Sequence, residues 1–97
     1  NNLALTKIWT YDNNLTSLDL SNNTLMERVS TTGNLLTSID ITNCHSVHTL
    51  LAYNNHLSTI DVSNNVLLEL LYLSDNQISS INVSSNSLLS ATSTFLA

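Results

Sequence analysis

Charge is scarce in this sequence, and its balance is acidic. Two cations, Lys7 and Arg28, stand against seven aspartates and glutamates, which gives a formal net charge of −5. Proteins that bind nucleic acid through its phosphates need a basic face, so we expect no nucleic-acid partner. Asparagine, serine and threonine must supply solubility instead, and such a surface is common outside cells.

Cysteine and long apolar runs are also nearly absent. The single cysteine, Cys44, excludes a framework of internal disulfide bonds, and we interpret it as a small buried spacer. The run Cys44-His45-x-x-His48 contains metal-ligand residue types, but it lacks the second pair that zinc motifs show. We therefore predict no metal and no cofactor. No apolar run is long enough to cross a bilayer, so we predict no membrane insertion.

With one glycine, Gly33, and no proline, the chain must make most of its turns with other residues. Asparagine tolerates left-handed backbone without the freedom of glycine. We therefore predict left-handed turns at two sets of recurring asparagines, which are Asn1, Asn22, Asn43 and Asn64 and Asn2, Asn23, Asn65 and Asn86. Gly33 is predicted to relax a turn just before Asn34.

A period of 21 residues organises the whole chain. One aliphatic column is Ile8, Val29, Leu50, Leu71, another is Leu15, Leu36, Leu57, Ile78, and an asparagine column is Asn13, Asn34, Asn55, Asn76. Since one coil cannot bury its own apolar side chains, stacked coils must share a core. The predicted coils are 1–21, 22–42, 43–63, 64–84 and a partial 85–97. We expect one solenoid domain over 1–97 that is a fragment of a longer array.

The run Leu68-x-x-Leu71-x-Leu73-x-x-Asn76-x-Ile78 resembles the leucine-rich repeat signature. Residues 13–21 resemble the short repeats of bacterial surface proteins. The resemblance implies a β-rich solenoid with a parallel sheet on the concave side, which is the usual ligand surface of the family. Period-two alternation at Leu71-x-Leu73 and Ile60-x-Val62 independently predicts short strands or extended segments on both sides of each coil. An amide has donors and an acceptor, so we predict that the asparagine column bonds the backbone in a ladder along the stack.

The aromatic residues fall together in outward columns of the first predicted strand. Neighbouring coils stack about 4.8 Å apart, so these side chains should share one surface. Exposed aromatic and apolar clusters mark interaction sites. The predicted ligand-binding residues, which we call the aromatic face, are Lys7, Trp9, Tyr11, Arg28, Leu51, Tyr53, Leu70, Tyr72 and Phe95. The alternative is that these side chains only pack on one another and shield the sheet.

The other side of the coil carries an outward column of Asp19, Asp40, Asp61 and Asn82 flanked by serine and threonine. We interpret it as a solvated surface. A divalent cation on the aspartates is an alternative, although the Gly-rich calcium repeat is absent. Ice binding on the hydroxyl array is another, although the charged column interrupts that array.

No nucleophile motif, phosphate loop or pair of catalytic carboxylates is visible, so we predict that the chain is not an enzyme. Three Asn-x-Ser/Thr sequons, at Asn14, Asn22 and Asn82, fit an extracellular or cell-surface location. We predict a recognition or adhesion module that binds a protein or a glycan through the aromatic face. The alternative is a structural module whose coils associate end to end into a fibre or a surface layer.

Overall fold

The computed structural model describes residues 3–90, so residues 1, 2 and 91–97 lie outside the description below. Its short strands are β1 (Lys7–Trp9), β2 (Ser17–Asp19), β3 (Arg28–Ser30), β4 (Ser38–Asp40), β5 (Thr49–Leu51) and β6 (Leu70–Tyr72). Strands β1, β3, β5 and β6 form a parallel sheet in that order, and β2 pairs with β4 in a second parallel sheet. The predicted β-rich solenoid is confirmed.

Strand pairing follows the period of the sequence. In the four-stranded sheet Lys7 pairs with Arg28, Arg28 with Thr49, and Thr49 with Leu70, each one repeat apart. In the second sheet Asp19 pairs with Asp40. Equivalent positions of successive coils therefore lie side by side, and each column of the sequence becomes a row on the surface or in the core.

The core is mainly aliphatic and runs along the stack. The middle residue of each strand in the four-stranded sheet points inward, and Val29, Leu50 and Leu71 are fully buried. Leu36 and Leu57 meet them from the following turn. Complete burial of such a side chain is worth about 1.5–3 kcal/mol, and a coil gains it only when a neighbour covers it.

Asparagine side chains fill the turn after the four-stranded sheet. The Nδ2 of Asn55 donates to the carbonyl oxygen of Ala52 in its own coil (3.0 Å) and of Thr31 in the preceding coil (3.1 Å). Its Oδ1 accepts from the backbone N–H of Leu36 at 3.1 Å. Asn34 and Asn76 make the equivalent bonds in their own coils. The buried amide thus forms hydrogen bonds with backbone groups that would otherwise lack a partner in the turn.

The left-handed residues lie in a different place from the one predicted. Positive φ angles occur at Asp12 (57°), Gly33 (77°), Asn54 (60°) and Asp75 (57°), directly before the asparagine column. Asn1 and Asn2 lie outside the described residues. The prediction of left-handed turns was wrong for the described asparagines of the opposite turn, namely Asn22, Asn23, Asn43, Asn64, Asn65 and Asn86. Their turns are closed by bonds between residues three apart, such as Asn23 N–H to the Leu20 carbonyl at 2.9 Å, and such turns use ordinary negative φ angles. The prediction for Gly33 itself is confirmed.

The second side of the coil is less regular than the first. The first two coils have strands there, β2 and β4. The equivalent residues of the next two coils, 59–61 and 80–82, are extended but form no strand. Ile60 and Ile81 nevertheless pack against the core, and Val62 is almost fully buried. Side-chain packing rather than strand pairing therefore holds these extended segments in place.

Candidate binding face on the four-stranded sheet

Alternation along each short strand decides which side chains leave the core. The first and third residues of β1, β3, β5 and β6 point away from the interior because successive side chains of a strand alternate. Across the sheet the third positions pair as Trp9 with Ser30, Ser30 with Leu51, and Leu51 with Tyr72. The residues of the aromatic face on this sheet are therefore brought onto one surface by the register.

Exposure differs along this surface. The solvent-exposed fractions are 62% for Trp9, 56% for Tyr11 and 39% for Tyr53, while Leu51, Leu70 and Tyr72 are half-buried. Lys7 and Arg28 are exposed side by side at the beginning of β1 and β3. Phe95 lies outside the described residues. The role of these side chains as ligand contacts stays a prediction.

Two residues that alternation places outward are nevertheless covered. Ser30 is only 9% exposed and Thr49 only 7%, because both are small and lie between larger neighbours in their rows. The hydroxyl of Thr49 lies 3.0 Å from the Nδ1 of His48. The outer surface of the sheet is thus uneven, because large exposed side chains alternate with small, nearly buried ones.

A cleft of about 270 Å³ lies on this surface near the end of the strands. The walls are tyrosines that lie two coils apart, and the lining residues are Tyr11, Asp12, Ser30, Thr32, Leu51 and Tyr53. Sequence reasoning did not identify Asp12, Ser30 or Thr32 as part of a site. The signal was nevertheless present, because the short Thr32 occupies the position between Tyr11 and Tyr53 in their column.

Asp12 is positioned by the turn beneath it. Its carboxylate lies directly against Gly33, where any Cβ would collide with Asp12 Oδ1. The Asp12 N–H donates to the carbonyl of Thr32 at 3.0 Å, and the Gly33 N–H donates to the carbonyl of Tyr53 at 3.3 Å. The missing side chain at Gly33 therefore leaves the space that the Asp12 carboxylate occupies at the cleft.

Tyr53 is supported from the side away from the cleft. Its ring centroid lies 6.4 Å from that of Tyr72 with a tilt of 57° between the planes, a favourable geometry for an aromatic pair. This is the kind of contact that the shielding alternative requires. Among the described aromatics it is confined to this pair, so Trp9 and Tyr11 remain open to solvent.

The cations of the face are not neutralised by nearby carboxylates. Among residues 3–90 the ion-pair contact is between His48 Nε2 and Glu27 Oε1, at 4.0 Å, and it involves neither Lys7 nor Arg28. The face therefore carries free positive charge at the beginning of its strands and the carboxylate of Asp12 at the other end.

The aspartate column on the second side is held by local bonds. Asp61 Oδ1 accepts from the hydroxyl of Ser63 (2.6 Å) and from its backbone N–H (2.9 Å), and Asp40 is bonded in the same way by Thr42. The bond from the Ser63 hydroxyl, then the one from its N–H, lowers the pKa of Asp61. Within the described range, no group of three or more His, Cys, Asp or Glu side chains is placed to hold a metal ion.

This architecture is similar to that of known leucine-rich repeat proteins. The Leucine Rich Repeat family model matches residues 14–36. Among solved structures, the functional domain of InlJ from Listeria monocytogenes, described as including a cysteine ladder, is similar with a TM-score of 0.88 and 30% sequence identity. The similarity covers 91% of this chain and 20% of that one, so the chain spans about a fifth of the InlJ structure. No curated protein sequence matches the chain.

The strand order and register define a parallel β-solenoid. Together with the family model and the similarity to InlJ, the repeat identifies the chain as a member of the leucine-rich repeat family. Domains of this family generally bind proteins and are generally not enzymes. No helix between residues 3 and 90 is long and apolar enough to cross a membrane.

Proposed function

We propose that the chain is a non-enzymatic extracellular recognition or adhesion module that binds a protein or a glycan through the aromatic face. The observation that carries the proposal is the exposure of Trp9, Tyr11 and Tyr53 on one side of a rigid sheet, while the core contains no aromatic side chain among the described residues. Large aromatic side chains left in water lose the stabilisation that burial would give, and such clusters are typical of binding surfaces.

The polar surface supports a location outside the cell. The asparagines of the three sequons, Asn14, Asn22 and Asn82, are all exposed, so each is accessible to a modifying enzyme. The similarity to InlJ fits the proposed resemblance to bacterial surface repeats, in which such sites need not be used. We also propose that residues 1–97 form one solenoid domain.

We further infer that two asparagine ladders hold the coils in register. One is the column of Asn34, Asn55 and Asn76 described above. The other, on the opposite turn, contains Cys44 where the next two coils have Asn65 and Asn86. The InlJ domain is described as including a cysteine ladder. Here a single cysteine takes part in a column that is otherwise asparagine.

The proposed function is tested with a triple variant, Trp9→Ala, Tyr53→Ala and Tyr72→Ala. The wild-type domain is used to select ligands from a random peptide display library and from a glycan array. We expect the selected ligands to lose at least about tenfold in affinity for the triple variant, because aromatic hot spots each contribute about 2 kcal/mol or more. Circular dichroism and the Tm show whether the variant keeps its fold.

A matched control carries three substitutions on the other side of the coils, Ser17→Ala, Ser38→Ala and Thr59→Ala. These side chains are exposed and small, so both the fold and the binding should be preserved. Ligands that bind the folded triple variant as tightly as the wild type, or that are lost with the control, would show that the aromatic face is not the binding surface.

A further inference from the structure

We propose that the cleft between Tyr11 and Tyr53 receives the guanidinium group of an arginine side chain on a partner protein. This inference rests on the proposed function, and it names the chemistry that one part of the aromatic face recognises. Three properties of the cleft carry it, namely its unpaired charge, its dimensions and the state of the polar groups on its floor.

The charge of the cleft is negative and uncompensated. Asp12 contributes the carboxylate, and none of the other lining residues is charged. No hydrogen-bond or ion-pair partner of this carboxylate is found among residues 3–90. The contact with Gly33 sets its position beside the cleft. A bound cation would compensate the charge and could also interact with the faces of Tyr11 and Tyr53.

The dimensions suit a flat group on the end of one side chain. At about 270 Å³ the cleft lies just below the range of roughly 300–1,000 Å³ typical of pockets for drug-sized ligands. The backbones that carry the two tyrosines are two coils apart, about 9–10 Å. A planar group between two rings needs roughly 7–8 Å, which is two contact distances of about 3.5–4 Å. A guanidinium is planar and stacks on aromatic rings, whereas an ammonium does not.

The floor of the cleft favours a cation over a sugar. A sugar ring requires several hydrogen-bonding groups around it, but the hydroxyl of Thr32 already donates to the carbonyl of Leu51 at 3.4 Å. Ser30 is 9% exposed and therefore poorly accessible. Leu51 supplies an apolar surface. Apart from the tyrosine hydroxyls, Asp12 is the polar side chain left for a ligand, and one carboxylate between aromatic rings suits an arginine.

The test is an NMR titration of the isotope-labelled chain with four small probes. They are blocked arginine (N-acetyl-arginine amide), its neutral citrulline analogue, blocked lysine and N-acetylglucosamine. We expect blocked arginine to shift the backbone amides of Tyr11, Thr32 and Tyr53 in a saturable way. Citrulline has nearly the same shape without the charge and should bind about tenfold more weakly. Lysine should fall between the two.

Two aspartate variants separate the cleft from general electrostatic attraction. Asp12→Asn should weaken the binding of blocked arginine by about fivefold. Asp75 has the same left-handed backbone in the equivalent turn of the last complete coil, and it does not line the cleft. Asp75→Asn therefore removes the same charge away from the cleft and should leave the affinity unchanged. Equal losses in the two variants would overturn the proposal.

Other outcomes also decide the question. The proposal fails if citrulline binds as well as arginine, if blocked arginine gives no saturable shift at the cleft, or if N-acetylglucosamine shifts these amides and arginine does not. None of these results touches the proposed function, which depends on whether selected ligands require Trp9, Tyr53 and Tyr72. Conversely, blocked arginine can occupy the cleft even if no selected ligand depends on those residues.

Discussion

Cys44 and Asn65 occupy the same position in consecutive coils, and the donor atom of each side chain lies within hydrogen-bond distance of two equivalent backbone carbonyls. The Sγ of Cys44 lies 3.3 Å from the carbonyl oxygen of Leu20 and 3.4 Å from that of Asn23. The Nδ2 of Asn65 lies 3.0 Å from the carbonyl of Ile41 and 2.9 Å from that of Cys44. Both side chains are fully buried. A thiol and an amide therefore fulfil the same structural role in this column.

The exchange Asn65→Cys should consequently cost little stability. The Oδ1 of Asn65 is buried without a hydrogen-bond partner among the described residues, and a thiol would remove this unsatisfied acceptor while keeping a donor. We expect a loss below about 1 kcal/mol in the free energy of unfolding for Asn65→Cys. For Asn65→Ala, which leaves two carbonyls without a donor, we expect a loss of roughly 2–3 kcal/mol. Urea denaturation of the two variants measures the difference, and equal losses would contradict the shared role.

Gly33 is the second position at which a small change should have a large effect. Its φ of 77° costs an alanine about 1–2 kcal/mol, and a Cβ there would also meet the carboxylate of Asp12. Gly33→Ala should therefore destabilise the chain by about 2 kcal/mol in thermal or urea unfolding. Adding Asp12→Gly to this variant should recover part of the loss, because the collision is removed and glycine accepts the left-handed φ of 57° at residue 12.

The control for the Gly33 experiment is Asn54→Gly in the next coil. Asn54 has a φ of 60° in the same turn, so the left-handed conformation is already accommodated there. Glycine at this position should change the free energy of unfolding by no more than about 0.5 kcal/mol. A Gly33→Ala variant as stable as the wild type would show that the turn is less constrained than its geometry indicates. If Asp12→Gly did not rescue the variant, the collision with the carboxylate would not be a cause of the loss.

The sequence was sufficient to predict the architecture because the repeat restricts it so strongly. Once Ile8, Val29, Leu50 and Leu71 are aligned, pairing at any other register would move aliphatic side chains into water. The same alignment predicted the common surface of the aromatic residues. The register of a repeat thus predicts which side chains point inward and which share a surface, provided that each coil contributes the same inward residues.

The repeat does not predict features that depend on the size of individual side chains or on the local backbone conformation of a turn. The register gives Ser30 an outward direction, but its burial depends on the larger side chains around it. The left-handed column was assigned to the wrong turn because asparagine occurs at both turns. Only the hydrogen bonds of Asn23 and of Asn55 distinguish a turn with ordinary φ angles from one that needs Asp12 or Gly33. The cleft depends both on small side chains between larger ones and on the left-handed turn beside it. It was therefore not predicted from the sequence.

Asp61 should respond to acid in a way that depends on Ser63. The hydroxyl and N–H of Ser63 bond the ionised carboxylate, so the pKa of Asp61 is lower in the folded chain than in an unfolded one, where it is about 3.9. Near and below that pH the unfolded state binds more protons than the folded state. The contribution of Asp61 to stability is therefore complete above about pH 4 and is lost as the pH falls through the folded-state pKa.

Replacing Ser63 by alanine tests this assignment. The substitution removes the larger of the two causes and keeps the backbone bond, so the pKa of Asp61 should rise toward its ordinary value without reaching it. A carboxyl-carbon NMR titration reports this pKa directly. Ser84→Ala is the matched control, because Ser84 donates from its N–H to the non-titrating Asn82 at 2.9 Å in the next coil. If Ser63→Ala left the pKa of Asp61 where it is in the wild type, the hydroxyl bond would not be its cause, and the acid sensitivity would have to come from the backbone N–H alone.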